Sequence, residues 1–74
     1  MITVKFSPGT KAYKKHGSQI EMTWQDGTID DLLAKLAVDK REVGSVLVNN
    51  SPKNLDEKLQ DNCEVYILPV ICGG

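Results

Sequence analysis

The sequence predicts an α+β domain: a mixed sheet of four to five strands with one main helix packed across one face. Three observations carry this expectation. Apolar and polar residues alternate through Ile2-Thr3-Val4-Lys5-Phe6 and again through Ile20-Glu21-Met22-Thr23-Trp24, the period of a half-buried strand. Ile29, Leu32, Leu33 and Leu36 fall at i, i+3, i+4 and i+7, one face of a helix. Two further strand-like runs, Val46-Leu47-Val48 and Glu64-Val65-Tyr66-Ile67-Leu68, follow that helix.

In chain order, the first strand ends at Ser7-Pro8-Gly9, a strong turn signal. The basic, polar stretch "TKAYKKHG" reads as a long loop that returns the chain into the second strand, making a hairpin. Gln25-Asp26-Gly27 breaks that strand. Thr28 is placed to cap the helix, with Asp31 three residues on in a variant of the capping box. Asp30 and Asp31 suit the positive end of the helix dipole. Gly44 and Ser45 lead into the third strand, which closes at Asn49-Asn50-Ser51-Pro52, where asparagine tolerates the left-handed backbone of a tight turn. The polar stretch to Leu59 reads as a short helical turn or an edge strand. Asp61-Asn62 opens the last strand, and Pro69, which has no N–H to donate, is expected to end its pairing. Ile2, Val4, Phe6, Ile20, Met22, Val46, Val48, Val65 and Ile67 would then meet the apolar face of the helix. This is a β-grasp arrangement.

Seventy-four residues make one small domain, near the lower limit for a self-sufficient core, with no room for a cleft between two lobes. Ten acidic residues stand against nine basic ones, so no net field is available to hold phosphates, and nucleic acid is not the expected partner. No apolar run approaches a membrane span and the first residues lack a signal-peptide profile, so a cytoplasmic location without membrane attachment is expected. Cys63 and Cys72 are separated by nine extended steps, roughly 30 Å if the intervening strand forms, whereas a disulfide needs Cα atoms within about 7 Å. Both read as thiols. One histidine and two cysteines do not supply a four-ligand zinc site.

The order of elements, the segments "DGTIDDLLAKL", "VLVNN" and "LQDNCEV", and the final Gly73-Gly74 together resemble the MoaD/ThiS family of sulfur carrier proteins. The resemblance covers essentially the whole chain and divides it into a β-grasp domain, residues 1–68, and a flexible Gly-Gly tail, residues 69–74. A random chain ends in Gly-Gly only about once in 200 cases, and each internal motif is weak alone. The ordered set is specific. The family turn before the last strand often reads Asp-Gly-Asp-Glu, and here it is Asp61-Asn62-Cys63-Glu64; Asn62 can replace glycine where φ is positive. Pro69 resembles the tail of the molybdopterin branch, and Val70-Ile71 that of the thiamine branch. The long first loop and the overall length lean towards the molybdopterin type.

The resemblance implies a protein co-substrate and not an enzyme. An adenylating enzyme of the ubiquitin-activating type, using ATP, would convert the Gly74 carboxylate to an acyl adenylate. A persulfide sulfur would displace AMP, and reduction would leave a thiocarboxylate. A synthase resembling the molybdopterin synthase large subunit, or a thiazole synthase, would then accept the sulfur. Gly73 and Cys72 would enter the partner's active site with Gly74. Residues 69–74 can extend roughly 20 Å, and glycine alone lacks a side chain to obstruct a narrow channel. No permanently bound cofactor is implied. Two other readings stand beside this one: a ubiquitin-like modifier conjugated through Gly74, and a β-grasp interaction module without tail chemistry.

Cys72 has a functional reading, a thiol that relays sulfur, and a bland one, a small side chain tolerated near the end; the bland one is preferred because no basic neighbour lowers its pKa. Lys11, Lys14, Lys15 and His16 read as a solvated basic loop, and Trp24 as core or core edge. No nucleophile–base pair is evident. Strand alternation turns Leu47, Tyr66 and Leu68 away from the helix, where they form a candidate exposed apolar docking patch beside the root of the tail.

Overall fold

Five strands form one mixed sheet in the order β2-β1-β5-β3-β4 in the computed structural model, which describes residues 1–70. The strands are β1 (Ile2–Phe6), β2 (Gln19–Met22), β3 (Val43–Val48), β4 (Ser51–Lys53) and β5 (Glu64–Pro69). Helix α1 (Lys11–His16) lies between the first two strands and α2 (Ile29–Lys35) follows the second. A short 3₁₀ turn, Lys40–Glu42, leads into β3. The central pair, β1 and β5, is parallel, and the remaining pairs are antiparallel. The β-grasp expectation holds.

The core follows from alternation and helical period. Ile2, Val4 and Phe6 of β1, Val46 and Val48 of β3, and Val65 and Ile67 of β5 are buried against Ile29, Leu32, Leu33 and Leu36. Each buried leucine contributes about 2 kcal/mol through the apolar area it removes from water. The asparagine turns also form as expected. Asn49 and Asn50 have φ of 51° and 69°, the two consecutive left-handed residues that a tight hairpin between β3 and β4 requires, and Asn62 has φ of 61°.

Several expectations need correction. Ile20 and Met22 are only partly buried, because β2 is an edge strand and sits at the rim of the helix-covered face. Trp24 is in the core as expected, on the same alternation as Ile20 and Met22 although β2 itself ends at Met22. Ala12, from the segment expected to be a polar loop, and Leu59, at the end of the polar stretch before the last strand, join the core. Of the two readings of the stretch before Leu59, the edge strand is the one that forms, and it begins at Ser51, inside the expected turn, with Pro52 tolerated at the edge. Pairing does not stop at Pro69: it partners Val43, and the Val70 N–H donates to the Glu42 carbonyl at 3.1 Å.

The capping box on α2 is complete. Thr28 Oγ1 accepts from the Asp31 N–H at 3.2 Å, and Asp31 Oδ2 accepts from the Thr28 N–H at 2.9 Å. Thr28→Ala is expected to cost about 1 kcal/mol in urea unfolding at neutral pH. The Thr28 backbone N–H, and then its hydroxyl, hold the Asp31 carboxyl below the usual aspartate range. A depressed folded-state pKa favours the folded chain above the unfolded value, about 3.9, and that contribution is lost as pH falls through the folded value. The stability difference between the parent and Asp31→Ala is therefore expected at neutral pH and expected to vanish in acid. A difference that persists unchanged in acid rules out the carboxylate as its source.

Candidate functional site

The outer face of the sheet, opposite α2, collects the side chains that alternation turns away from the core. Leu47 lies directly across from Tyr66, and Lys5 of β1 flanks Tyr66 on its other side. Pro52 of β4 extends the same row beyond Leu47. Leu68 stands two residues along β5 from Tyr66, opposite Ser45. Leu47, Tyr66 and Leu68 thus share one face, as expected from sequence, but each is half-buried and none is fully exposed. Facing side chains in paired strands are only about 5 Å apart, so they cover one another. Lys5 Nζ meets Glu64 Oε1 at 3.3 Å along the border of this patch.

The patch runs towards the root of the tail. Pro69 and Val70 border a shallow groove of about 320 Å³ that is also lined by Gly9, Thr10, Lys11, Arg41 and Glu42. Val70 is 46% exposed, an apolar side chain in water at the point where the described chain stops, and sequence reasoning did not single it out. Gly74, Gly73 and Cys72 lie outside the described residues.

The segment "TKAYKKHG" forms helix α1 in place of the expected loop. Thr10 Oγ1 caps α1 by accepting from the Tyr13 N–H at 3.1 Å while donating to the Ser7 carbonyl at 2.7 Å. Gly17, with φ of 88°, closes the helix, and its N–H donates to the Tyr13 carbonyl. The cap, the basic last turn and the closing glycine were all legible signals, but six residues are too few to display an apolar period. The helix sets the basic residues apart. Lys11 Nζ reaches Glu42 Oε1 at 3.0 Å, and that carboxylate raises the lysine above its ordinary pKa. Lys14 and Lys15 are exposed. His16 is docked and not solvated: its Nε2–H donates to the Leu36 carbonyl at 2.9 Å, and its ring stacks on Phe6 with centroids 5.4 Å apart.

No group of three or more His, Cys, Asp or Glu side chains that could hold a metal occurs among the described residues. Cys63, the free thiol among the described residues, has only weak contacts, to Asn49 Nδ2 at 3.7 Å and the Asp61 carbonyl at 3.6 Å. No helix among the described residues is long and apolar enough to cross a membrane.

Comparison with known proteins fits this geometry. The sequence matches the model of the ThiS family over residues 9–74, nearly the whole chain. The chain belongs to the ThiS family. SAMP1 from Haloferax volcanii has a similar fold, with a TM-score of 0.65 and 22% identity over 99% of this chain and 98% of that one. A chain from the complex of subunits 1 and 2 of the molybdopterin-converting factor of Helicobacter pylori 26695 is similar at a TM-score of 0.64 and 22% identity, covering 99% of this chain and 97% of that one. No curated protein matches the sequence significantly. At these identities the structural likeness is one of fold, and ThiS-family membership rests on the sequence match, which runs through Gly73 and Gly74.

Proposed function

We propose that this ThiS-family chain is a sulfur carrier, a protein co-substrate whose Gly74 carboxylate is activated and converted to a thiocarboxylate. The observation that carries this reading is the family match extending through the final Gly-Gly of a β-grasp domain. A carboxylate resists nucleophiles because it is already negative and has no adequate leaving group. Attack of its oxygen on the α-phosphorus of ATP, with loss of pyrophosphate, gives an acyl adenylate. A persulfide then attacks the acyl carbon and expels AMP, and two electrons from a thiol reductant cleave the S–S bond to leave –COS⁻ on Gly74. The adenylating enzyme supplies the ATP site, and a synthase accepts the sulfur. The fold neighbour from a two-subunit molybdopterin-converting factor favours a molybdopterin-type synthase, with a thiamine-type acceptor next.

The test is the intact mass after incubation with the cognate adenylating enzyme, ATP and a persulfide donor. One oxygen-to-sulfur exchange, located in the C-terminal peptide, is the expected result. Isopeptide adducts to lysines in place of that exchange favour the ubiquitin-like modifier, and no change at all favours an interaction module.

Leu47, Tyr66 and Leu68 are the proposed docking surface for the adenylating enzyme, because they form a contiguous apolar group beside the tail root. Tyr66 dominates it as the aromatic member. Tyr66→Ala is expected to weaken binding by about 1–3 kcal/mol with little change in thermal midpoint, since Tyr66 lies on the face away from α2. Calorimetry and a melt together decide: unchanged affinity with a clear loss of stability assigns Tyr66 to packing alone.

A further inference from the structure

We propose that Gly44 is a positioning residue for loading of Gly74: it lets the end of β5 close onto β3, so that the tail leaves the sheet in one fixed direction. This rests on the carrier reading above. The pairing register between β3 and β5 shifts between Val43 and Ser45, and Gly44 is the residue at the shift. Its backbone is not in the left-handed region, so glycine is not required there for conformation. The requirement is steric. A Cβ on Gly44 would lie 2.9 Å from the Pro69 carbonyl carbon and 2.9 Å from Val70 Cα, and closer still to the Pro69 carbonyl oxygen. Those are main-chain atoms of the neighbouring strand, which cannot swing aside as the end of a flexible side chain can.

Two interactions hold the closed arrangement. Val43 pairs with Pro69, and the Val70 N–H donates to the Glu42 carbonyl at 3.1 Å. Pro69 has no N–H of its own, so the Val70 bond is the next donor that can fasten this end of the strand. A Cβ added at Gly9, on the far side of the groove, would lie 3.4 Å from Pro69 Cγ, so Gly9 leaves room for the proline ring. The chain is thus tied down one residue beyond the proline expected to end its pairing. Only four residues separate Val70 from the sequence end, a reach of at most about 13 Å. A root displaced by a few ångströms misplaces the reacting carboxylate by a similar amount, and misplacement of about 1 Å can cost up to 100-fold in rate.

Three measurements on the whole chain test this. In the parent, the Val70 amide is expected to exchange with solvent slowly, like the amides of β5; exchange at the rate of an unstructured chain overturns the proposal, whatever the variants do. Gly44→Ala is expected to remove that protection while the β1 and α2 amides stay protected. In steady-state sulfur loading with the chain as the varied substrate, below the melting range, the variant is expected to lose about tenfold or more in kcat with KM within about threefold. A merely structural role lowers the melting temperature and the folded fraction without that split. If Gly44→Ala loads at the parental rate, the positioning role is wrong. If the parent itself takes no sulfur, the carrier reading fails instead, and the two failures are distinct.

Discussion

Trp24→Ala is expected to cost about 3–5 kcal/mol of folding stability, the upper range for truncating a buried aromatic. Trp24 is 2% exposed although it belongs to no strand. The indole N–H donates to the Leu59 carbonyl at 2.7 Å, which ties the segment after β2 to the segment before β5. Gly27 and Lys35 complete the site. Gly27 has φ of 143°, a Cβ there would lie 3.2 Å from Trp24 Cζ2, and Lys35 Nζ sits 5.0 Å from the ring centroid. Alanine would leave a cavity and strip the Leu59 carbonyl of its donor. A domain of this size has a total stability of only about 4–11 kcal/mol, so the variant is expected to melt about 20 °C lower or to lose its cooperative transition. Trp24→Phe is expected to cost less, about 2–3 kcal/mol, because it loses the hydrogen bond and the pyrrole half of the indole but still fills most of the site. A loss under 1 kcal/mol for the alanine variant, measured by urea unfolding, would show that Trp24 does not bridge these segments.

Trp24 also marks where sequence reasoning reached its limit. Its burial was legible because it continues an alternating run, but the strand ends at Met22, and the indole's hydrogen bond to Leu59, 35 residues away, was not. Leu59 itself was passed over, since a single leucine in a polar stretch has no period to display. The central strands, the α2 face and the capping box were legible because each is a local pattern: period two, period 3.6, or a threonine three residues before an aspartate. Asn49, Asn50 and Asn62 were legible because few other residues take a positive φ readily. Helix α1 was missed for want of length. The outer row of Leu47 and Tyr66 followed from alternation, but its half-burial depends on which strands lie side by side. The closure at Gly44 was least accessible of all. It depends on a register shift and on the approach of Pro69 and Val70, neither of which the neighbouring residues of the sequence encode.

Removing Gly74 is expected to abolish sulfur acquisition while leaving the domain folded. Gly74 has no side chain to bury, and the buried hydrophobics among the described residues run from Ile2 to Ile67, so the thermal midpoint is expected to move little. Under the carrier reading the deletion leaves a carboxylate, now on Gly73, but withdraws it by about 3.5 Å. Attack on ATP requires the reacting atoms within about 3–3.5 Å and aligned. A carboxylate set back by that distance cannot meet the α-phosphorus unless the docked domain shifts by the same amount, at the expense of the Leu47 and Tyr66 contacts. A loss of at least 1,000-fold in adenylation rate is therefore expected, with affinity for the adenylating enzyme retained within about tenfold. The mass readout also separates the rival chemistry at the thiols. A thiocarboxylate exchanges one oxygen for sulfur and survives mild thiol reduction, whereas a persulfide on Cys63 or Cys72 adds a whole sulfur atom and is removed by it. A truncated chain that still gains sulfur in the reducible form moves the carrier site to a cysteine. One that gains it in the resistant form, at the parental rate, shows that the carboxylate of Gly74 is not the group that reacts.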